Sequence, residues 1–361
     1  MSVFGPNRLK TYLSLDDLLI LPNSSLVEPS QAKISSRLTK NIKIQIPAVS
    51  SPMDTVTEAD MAEALAELGT IGVIHRNMTM KREVRQVRKV KGKGLRVAAA
   101  IGPFDLDRAE ALESAGADAM LIDCAHGHNL NVIKSAKKIK KKISCQLIVG
   151  NIATRQAARD YLRVEPDAFR VGVGSGSICT TNTATGIGVP LASAITDVYS
   201  IAQKPGIPII ADGGIKSGGD AVKALALGAD CVMIGSLFAG TTESPGKIID
   251  GSSMGLDGKY KLYRGMGSKS VIEQTDRYMK SSKCAAEGIE AVVPFRGSVK
   301  HLVEELAWSI RQGMGYVGAK NIKELREKAR FVLVSNHQRN PDVTPIDTER
   351  WPSLREDSNE R

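Results

Sequence analysis

The sequence predicts a (β/α)8 TIM barrel with a long flap insertion after the eighth strand. Three observations lead to this fold class. Eight short apolar runs recur over about 200 residues with helical stretches between them, which is the pattern of such a barrel. The runs lack polar and apolar alternation, as is typical of parallel strands buried on both faces. Polar, glycine-rich or thiol-bearing residues follow each run, and active sites of this fold lie at those strand ends. A doubly wound open sheet is the alternative.

The predicted strands are nearly continuous in Val, Ile, Ala and Met. In chain order they are Ile46–Ser50, Ile71–Ile74, Arg96–Ile101, Ala119–Asp123, Gln146–Gly150, Phe169–Gly172, Ile207–Ala211 and Cys231–Gly235. The predicted helices are Ala59–Leu68, Leu106–Ala115, Asn131–Lys142, Ala153–Val164, Leu191–Gln203, Lys216–Leu227 and a stretch near Val299–Gln312. Thr55 and Glu58 have the spacing of a capping box for the first helix. Gly116 and Gly228 are predicted C-terminal caps.

Charge and cysteine usage narrow the function classes. The net charge of +10 is concentrated in residues 81–93 and 134–142, without aromatic residues that stack on bases. We interpret both runs as solvated helix faces, so nucleic acid is not an expected partner; a basic, non-enzymatic nucleic-acid-binding protein is a remote alternative. The five dispersed cysteines argue against disulfides or a zinc site. No membrane span or signal pattern is apparent, so a cytoplasmic location is expected.

The segment Gly172–Thr181 is the strongest candidate for chemistry. Three glycines at alternate positions free its backbone, Ser177 adds a hydroxyl, and Cys179 follows two residues later. Such a loop can hold an anion against main-chain N–H groups while it presents a thiol. We therefore expect a phosphorylated substrate attacked by cysteine; the alternative is a flexible turn beside an inert cysteine. Cys124, at another strand end, is interpreted as packing against the barrel rim.

Adjacent strand ends supply groups suited to a phosphate and a ribose. Asp212-Gly213-Gly214 and Gly235-Ser236 offer N–H and hydroxyl donors after strands seven and eight, a common phosphate position in this fold. The Asp212 carboxylate can accept hydrogen bonds from two ribose hydroxyls, or it can simply form an Asp-Gly turn.

These motifs resemble the inosine 5′-monophosphate (IMP) dehydrogenase and guanosine 5′-monophosphate (GMP) reductase family. The matching segments are Leu13–Asp17, Ser51–Val56, Gly174–Thr181, Ile210–Ile215, Gly235–Gly246, Tyr263–Ser268 and Arg277-Tyr278. The resemblance extends to about Val334. It implies a catalytic barrel domain over residues 1–335. The connection of about 60 residues after the eighth strand predicts a flap at about 242–298, and the polar composition of residues 336–361, with scattered prolines, predicts an extended or disordered tail.

The resemblance also implies the roles of individual residues. The catalytic residues would be Cys179, Arg277, Tyr278, Thr181 and Glu287, with Cys179 attacking C2 of the purine. The substrate-binding residues would be Ser51, Met53, Ser177, Asp212, Gly213, Gly214, Gly235, Ser236, Tyr263, Gly265, Met266, Gly267 and Glu287. The NAD-binding residues would be Asp123, Asn151, Arg170 and Gly172. The backbone carbonyls of Gly174, Gly176 and Cys179 would bind K⁺.

The activity implied by the resemblance is NAD-dependent oxidation of IMP to xanthosine monophosphate (XMP), as in guanine nucleotide biosynthesis, by a homotetramer. NADPH-dependent GMP reductase is the alternative, because it shares the barrel and the thiol. Arg277-Tyr278 and the Tyr263–Ser268 motif favour the dehydrogenase. Only about 21 residues separate Ile74 from Arg96, so the tandem cystathionine-β-synthase-type (CBS) regulatory domain of many family members is not expected here.

Overall fold

The computed structural model describes residues 10–269, 271 and 286–334 of the chain. Its strands, in chain order, are β1 (Leu18–Ile20), β2 (Ser36–Arg37), β3 (Lys43–Ile44), β4 (Ala48–Ser50), β5 (Val73–Ile74), β6 (Ala98–Ile101), β7 (Ala119–Asp123), β8 (Gln146–Ile152), β9 (Ala168–Val171), β10 (Ile209–Asp212), β11 (Cys231–Ile234), β12 (Ile249–Asp250), β13 (Lys259–Arg264), β14 (Glu290–Pro294) and β15 (Phe331–Leu333). Its helices are α1 (Ala59–Glu67), α2 (Met80–Gly92), α3 (Leu106–Ser114), α4 (Leu130–Lys142), α5 (Arg155–Tyr161), α6 (Thr181–Thr185), α7 (Leu191–Ala202), α8 (Gly218–Ala226), α9 (Ser236–Ala239), α10 (Val299–Val317) and α11 (Ile322–Lys328).

Eight parallel strands form the predicted barrel. The hydrogen-bonded order is β4, β11, β10, β9, β8, β7, β6, β5, and a parallel bridge between Val49 and Ile71 joins the two ends. The open doubly wound sheet is therefore wrong, because its edge strands would not meet. Each predicted strand is observed within two residues of its predicted bounds, because buried parallel strands give an unbroken apolar signal.

Side chains inside the barrel come from every second residue of each strand. The interior core includes Val49, Ala98, Leu121, Ile148 and Ile210, and the β2–β3 hairpin closes its floor with Leu38, Ile42 and Ile44. The same alternation continues to the carboxyl ends of the strands, where the interior residues become polar. Asp123 lies two residues beyond Leu121, and Asp212 two residues beyond Ile210. The fold thus places charged side chains inside the barrel at the carboxyl ends of its strands.

The predicted helix ends have mixed outcomes. Gly116 and Gly228 have φ angles of +97° and +125° after their helices, as predicted for C-terminal caps. The capping box before α1 is wrong: Glu58 is the N-cap residue, and its side chain makes no capping hydrogen bond. Its carboxylate instead accepts hydrogen bonds from Arg82 (2.8 Å) and Gln86 (2.8 Å) of α2. These tertiary partners compete successfully with the local cap.

The long connection after β11 contains α9 and an antiparallel sheet of β12, β13 and β14. Its base is closed by backbone hydrogen bonds from Thr242 to Gly297 and from Arg296 to Gly240, each 2.8 Å. The connection from β5 to β6 contains α2. No helix in the described part of the chain is both long and apolar enough to cross a membrane.

Candidate active site

One open cavity of about 1110 Å³ lies at the carboxyl ends of the barrel strands. Its lining includes every predicted site residue that the structure describes. These are Ser51, Met53, Asp123, Asn151, Arg170, Gly172, Gly174, Gly176, Ser177, Cys179, Thr181, Asp212, Gly213, Gly214, Gly235, Ser236, Tyr263, Gly265, Met266, Gly267 and Glu287. Arg277 and Tyr278 lie outside the described residues.

The Cys179 thiol is half-buried and joined to a carboxylate by a single hydroxyl. Its Sγ donates to Thr181 Oγ1 at 3.2 Å, and that hydroxyl donates to Glu287 Oε2 at 3.0 Å. A nucleophilic cysteine needs a group that removes its proton. The three side chains form a continuous proton path from the sulfur to a carboxylate.

Main-chain pairing holds this path in place. Cys179 and Gly288 form an antiparallel bridge, with Ile289 N–H donating to Ile178 O at 3.1 Å. Glu287 N–H in turn donates to Gly267 O at 3.0 Å. The thiol loop, the residues after β13 and the residues before β14 are thus connected around the cavity.

A buried ion network forms the adjoining wall. Arg170 donates from Nη1 to Asp123 Oδ1 and from Nε to Asp212 Oδ2, each at 2.9 Å. Asn151 Nδ2 donates to the same Asp212 oxygen at 2.8 Å and to Gly172 O at 2.7 Å. Asp212 is therefore fixed through Oδ2, whereas its Oδ1 accepts no hydrogen bond from any described residue. Such an oxygen can receive a ligand hydroxyl.

Two glycines of this wall are required by close main-chain contacts. Gly172 has a φ of +147°, and a Cβ there would collide with the carbonyl oxygen of Asp212. Gly213 has a φ of +104°, and a Cβ there would collide with the Ser175 hydroxyl. Only glycine adopts this backbone conformation without penalty and permits this approach.

Neutral donors gather at the ends of β10 and β11. Tyr263 is buried and hydrogen-bonded to Ser177, and burial raises the pKa of its phenol to about 12. It is consequently a neutral hydroxyl at physiological pH. A Cβ on Gly235 would lie only 2.7 Å from the Tyr263 oxygen, so this glycine lets the phenol approach the strand end. Together with Ser177 and Ser236, this is a suitable set for a phosphate group.

The sequence interpretation missed two features of the cavity. Cys124 packs against the core, as predicted, and it also lines the cavity beside Asp123. The position of Cys124 directly after a barrel strand is the sequence signal that points to the cavity. Arg76, two residues after β5, has no role in the sequence interpretation; its Nε lies 3.4 Å from Asp123 Oδ2 and its Nη2 donates to Asp123 O at 3.2 Å. No local sequence signal identifies that pairing.

The basic runs lie on α2 and α4, on the outer surface. Several of their lysines are paired with carboxylates, including Lys91 with Asp118 (3.0 Å) and Lys93 with Glu63 (2.7 Å). The charge is therefore partly compensated where it lies.

Comparison with known proteins agrees with this geometry. The family model described as IMP dehydrogenase / GMP reductase domain matches residues 12–340. The inosine-5′-monophosphate dehydrogenase of Cryptosporidium parvum is 40% identical over 380 residues, covering 92% of this chain and 94% of the relative. The enzyme of the same name from Borreliella burgdorferi is 39% identical over 393 residues, covering 92% and 96%.

The inosine-5′-monophosphate dehydrogenase of Thermoplasma acidophilum is 37% identical over 452 aligned residues, covering 90% of this chain and 92% of the relative. That alignment is longer than this chain, so the relative carries segments that this chain lacks. The barrel and its thiol-bearing cavity define an enzyme of the (β/α)8 class. The chain belongs to the IMP dehydrogenase / GMP reductase family.

Proposed function

We propose that this chain is an IMP dehydrogenase, which oxidises IMP to XMP with NAD⁺ through a covalent adduct on Cys179. The observation that carries the proposal is the thiol–hydroxyl–carboxylate path from Cys179 to Glu287 on the wall of the cavity. Relatives that are 33–40% identical over about 90% of the chain and are named inosine-5′-monophosphate dehydrogenase support it.

The cavity offers a separate set of groups to each part of IMP. Ser177, Ser236, the Tyr263 phenol and the N–H groups of Gly214 and Gly235 suit the phosphate. Asp212 Oδ1 suits the ribose hydroxyls. Met266, Gly267 and Glu287 suit the purine, whose C2 then lies at Cys179. These assignments are the ones that the family resemblance implies, and all of these residues line the same cavity.

The residues proposed for the dinucleotide fit its nicotinamide half. Asp123 and Asn151 supply polar groups for ribose and carboxamide, and they line the same cavity as the thiol. Bound NAD⁺ supplies the hydride acceptor. Arg170 donates a hydrogen bond to Asp123 and another to Asp212, and so holds the two carboxylates in a fixed position.

The residues of the chain provide for two half-reactions. In the first, Cys179 Sγ bonds to C2 of IMP, the C2 hydrogen leaves with its electron pair, and the thiol proton passes through Thr181 to Glu287. In the second, water adds to C2 and loses its proton, the C–S bond breaks, and XMP leaves with the thiolate restored. Acid and base groups near Cys179 are needed for both.

The assignment is tested by two assays on one preparation. IMP with NAD⁺ is expected to produce NADH, followed by its absorbance, and XMP in equal amount. GMP with NADPH is expected to give no IMP. Formation of IMP from GMP and NADPH, with no reaction of IMP and NAD⁺, would instead identify the reductase.

Arg277→Ala is expected to separate the two half-reactions. Arg277 is proposed to help activate water. Because a guanidinium keeps its proton beyond about pH 12, Arg277 must either act within a proton relay or become neutral transiently. We expect hydride transfer within a few-fold of wild type and hydrolysis slowed by about 10²-fold or more. Rapid mixing would then give a full burst of NADH followed by slow turnover.

Lys247→Ala is the control for Arg277→Ala, since it removes an exposed positive charge from the same insertion. It should leave both phases unchanged. Equal loss of both half-reactions in Arg277→Ala would argue against a role confined to hydrolysis.

Potassium, the homotetramer and the cytoplasmic location stay predictions. The backbone at Gly174 and Gly176 lies on the cavity wall, and the Gly176 carbonyl accepts a hydrogen bond from Cys179 N–H at 3.2 Å. A cation bound there would act on the same loop that carries the thiol.

A further inference from the structure

A lysine is buried on the inner face of β13. Alternate residues of this strand point inward, and Lys261 is 1% exposed and Tyr263 5% exposed. Lys261 Nζ donates to Thr241 O at 2.9 Å and to Ser244 O at 2.5 Å. Burial lowers the pKa of its ammonium group, and the nearby Glu243 carboxylate opposes that shift. Lysine is rarely this buried unless its charge has partners.

The loop that receives the ammonium follows α9 and is braced within itself. Ser244 Oγ donates to Ala239 O (2.7 Å) and Thr241 O (2.9 Å), and Thr241 Oγ1 donates to Phe238 O (2.8 Å). The start of α9 is Ser236, in the proposed phosphate cradle. The loop is thus a rigid extension of the segment that carries the cradle.

Tyr263 makes the second contact between β13 and that segment. Its phenol lies against Gly235 and is hydrogen-bonded to Ser177. Two residues of a strand span about 6.6 Å, so Lys261 and Tyr263 hold β13 at two separate points. Beyond them the chain continues into Gly265, Met266 and Gly267, which line the cavity.

We infer that Lys261 is a positioning residue for the end of the cavity that binds the phosphate. Lys261 fixes the position of β13, and β13 in turn places the Tyr263 hydroxyl against Gly235. Lys261 itself does not line the cavity. The inference rests on the proposed function, because it requires that the phosphate of IMP binds beside Tyr263.

Lys261→Met tests this role. Methionine fills the space of the lysine stem but donates no hydrogen bond. The Ser244 carbonyl then loses the lysine donor, the Thr241 carbonyl keeps only the Ser244 hydroxyl, and β13 loses one of its two contacts with the α9 segment. A displacement of about 1 Å in a group that positions a substrate can lower the reaction rate by about 10²-fold. Because the Tyr263 contact remains, we expect about a tenfold loss of IMP affinity.

The measurement is alkylation of Cys179 by iodoacetamide, followed by mass spectrometry of the Cys179 peptide. In wild type, IMP should slow the alkylation. In Lys261→Met, the rate without ligand should stay within twofold, whereas the IMP concentration for half-protection should rise about tenfold. Inorganic phosphate should compete with IMP more weakly than in wild type. Lys259→Met, on the same strand and exposed, is the matched control and should behave as wild type.

Each outcome has one meaning. If IMP does not protect wild type, the proposed function fails. If IMP protects wild type and Lys261→Met equally, the positioning role alone is overturned. The positioning role is also overturned if Lys261→Met changes the alkylation rate without ligand by as large a factor as it changes the IMP concentration for half-protection. The substitution would then disturb the whole thiol loop rather than the binding of the phosphate. Should Lys261→Met not fold, Lys261→Gln keeps a neutral amide donor on a shorter side chain and should show a three- to fivefold weaker protection; wild-type protection would overturn the inference.

Discussion

Cys179→Ser is expected to lower the rate of NADH formation from IMP by about 10³-fold or more. Serine keeps the size of the side chain and the hydrogen bond to Thr181, so the loop that pairs with Gly288 should be unchanged. The hydroxyl is a far weaker acid than the thiol, and the path to Glu287 cannot ionise it at neutral pH. The loss therefore reports on the nucleophile itself.

The same variant decides whether the intermediate is covalent. Wild-type protein quenched during turnover should carry a nucleotide adduct on the Cys179 peptide, detected by mass spectrometry, and Cys179→Ser should carry none. Cys145→Ser is the matched control: burial raises the pKa of the Cys145 thiol to about 12, so that thiol is inert. It should keep both activity and adduct. An adduct on another cysteine, or a Cys179→Ser variant with more than a tenth of wild-type activity, would contradict the mechanism.

The barrel was predictable because its strands are buried on both faces, which leaves an apolar run of recognisable length. The insertion was not predictable in the same way. Lys261 reads as a surface residue of a polar segment, yet it is buried, since its ammonium finds two carbonyls from a loop about 20 residues earlier. The pairing of β13 with β14 likewise joins segments far apart in the chain. The secondary-structure propensity of a short segment does not depend on partners that are distant in the chain, so it cannot predict them.

Active sites of (β/α)8 barrels lie at the carboxyl ends of the strands, and this located polar residues of the site but not the side chains that they contact. Asp212 was predicted to face the site because it follows a strand, whereas Asp123 and Arg170 were assigned to the site by the family resemblance. That Arg170 lies between the two carboxylates depends on strand order, since these partners are 47 and 42 residues away in sequence. The resemblance supplied roles that spacing alone left open, such as a ribose contact rather than a turn for Asp212.

Asp212→Asn is expected to raise the KM for IMP by about 10²-fold, with a smaller fall in kcat. The amide is isosteric with the carboxylate, but it accepts weaker hydrogen bonds from the ribose and no longer compensates Arg170. Losing a charged hydrogen-bonding partner costs about 2–3 kcal/mol, which corresponds to this change in KM. The variant should also unfold at a lower temperature, because buried Arg170 keeps only Asp123 as a carboxylate partner within the network.

The fall in stability must be separated from the loss of binding. IMP stabilises the folded protein according to its concentration relative to Kd, so the shift in Tm on adding IMP measures affinity independently of the starting Tm. In Asp212→Asn that shift should be nearly absent at an IMP concentration of about ten times the wild-type Kd, where wild type is about 90% saturated. Asp197→Asn removes the carboxylate of an ion pair with Arg155 on the outer helices, and it should keep the full shift. If Asp212→Asn lowered Tm yet kept the IMP-dependent shift, Asp212 would act only in holding Arg170, and the ribose contact would be excluded.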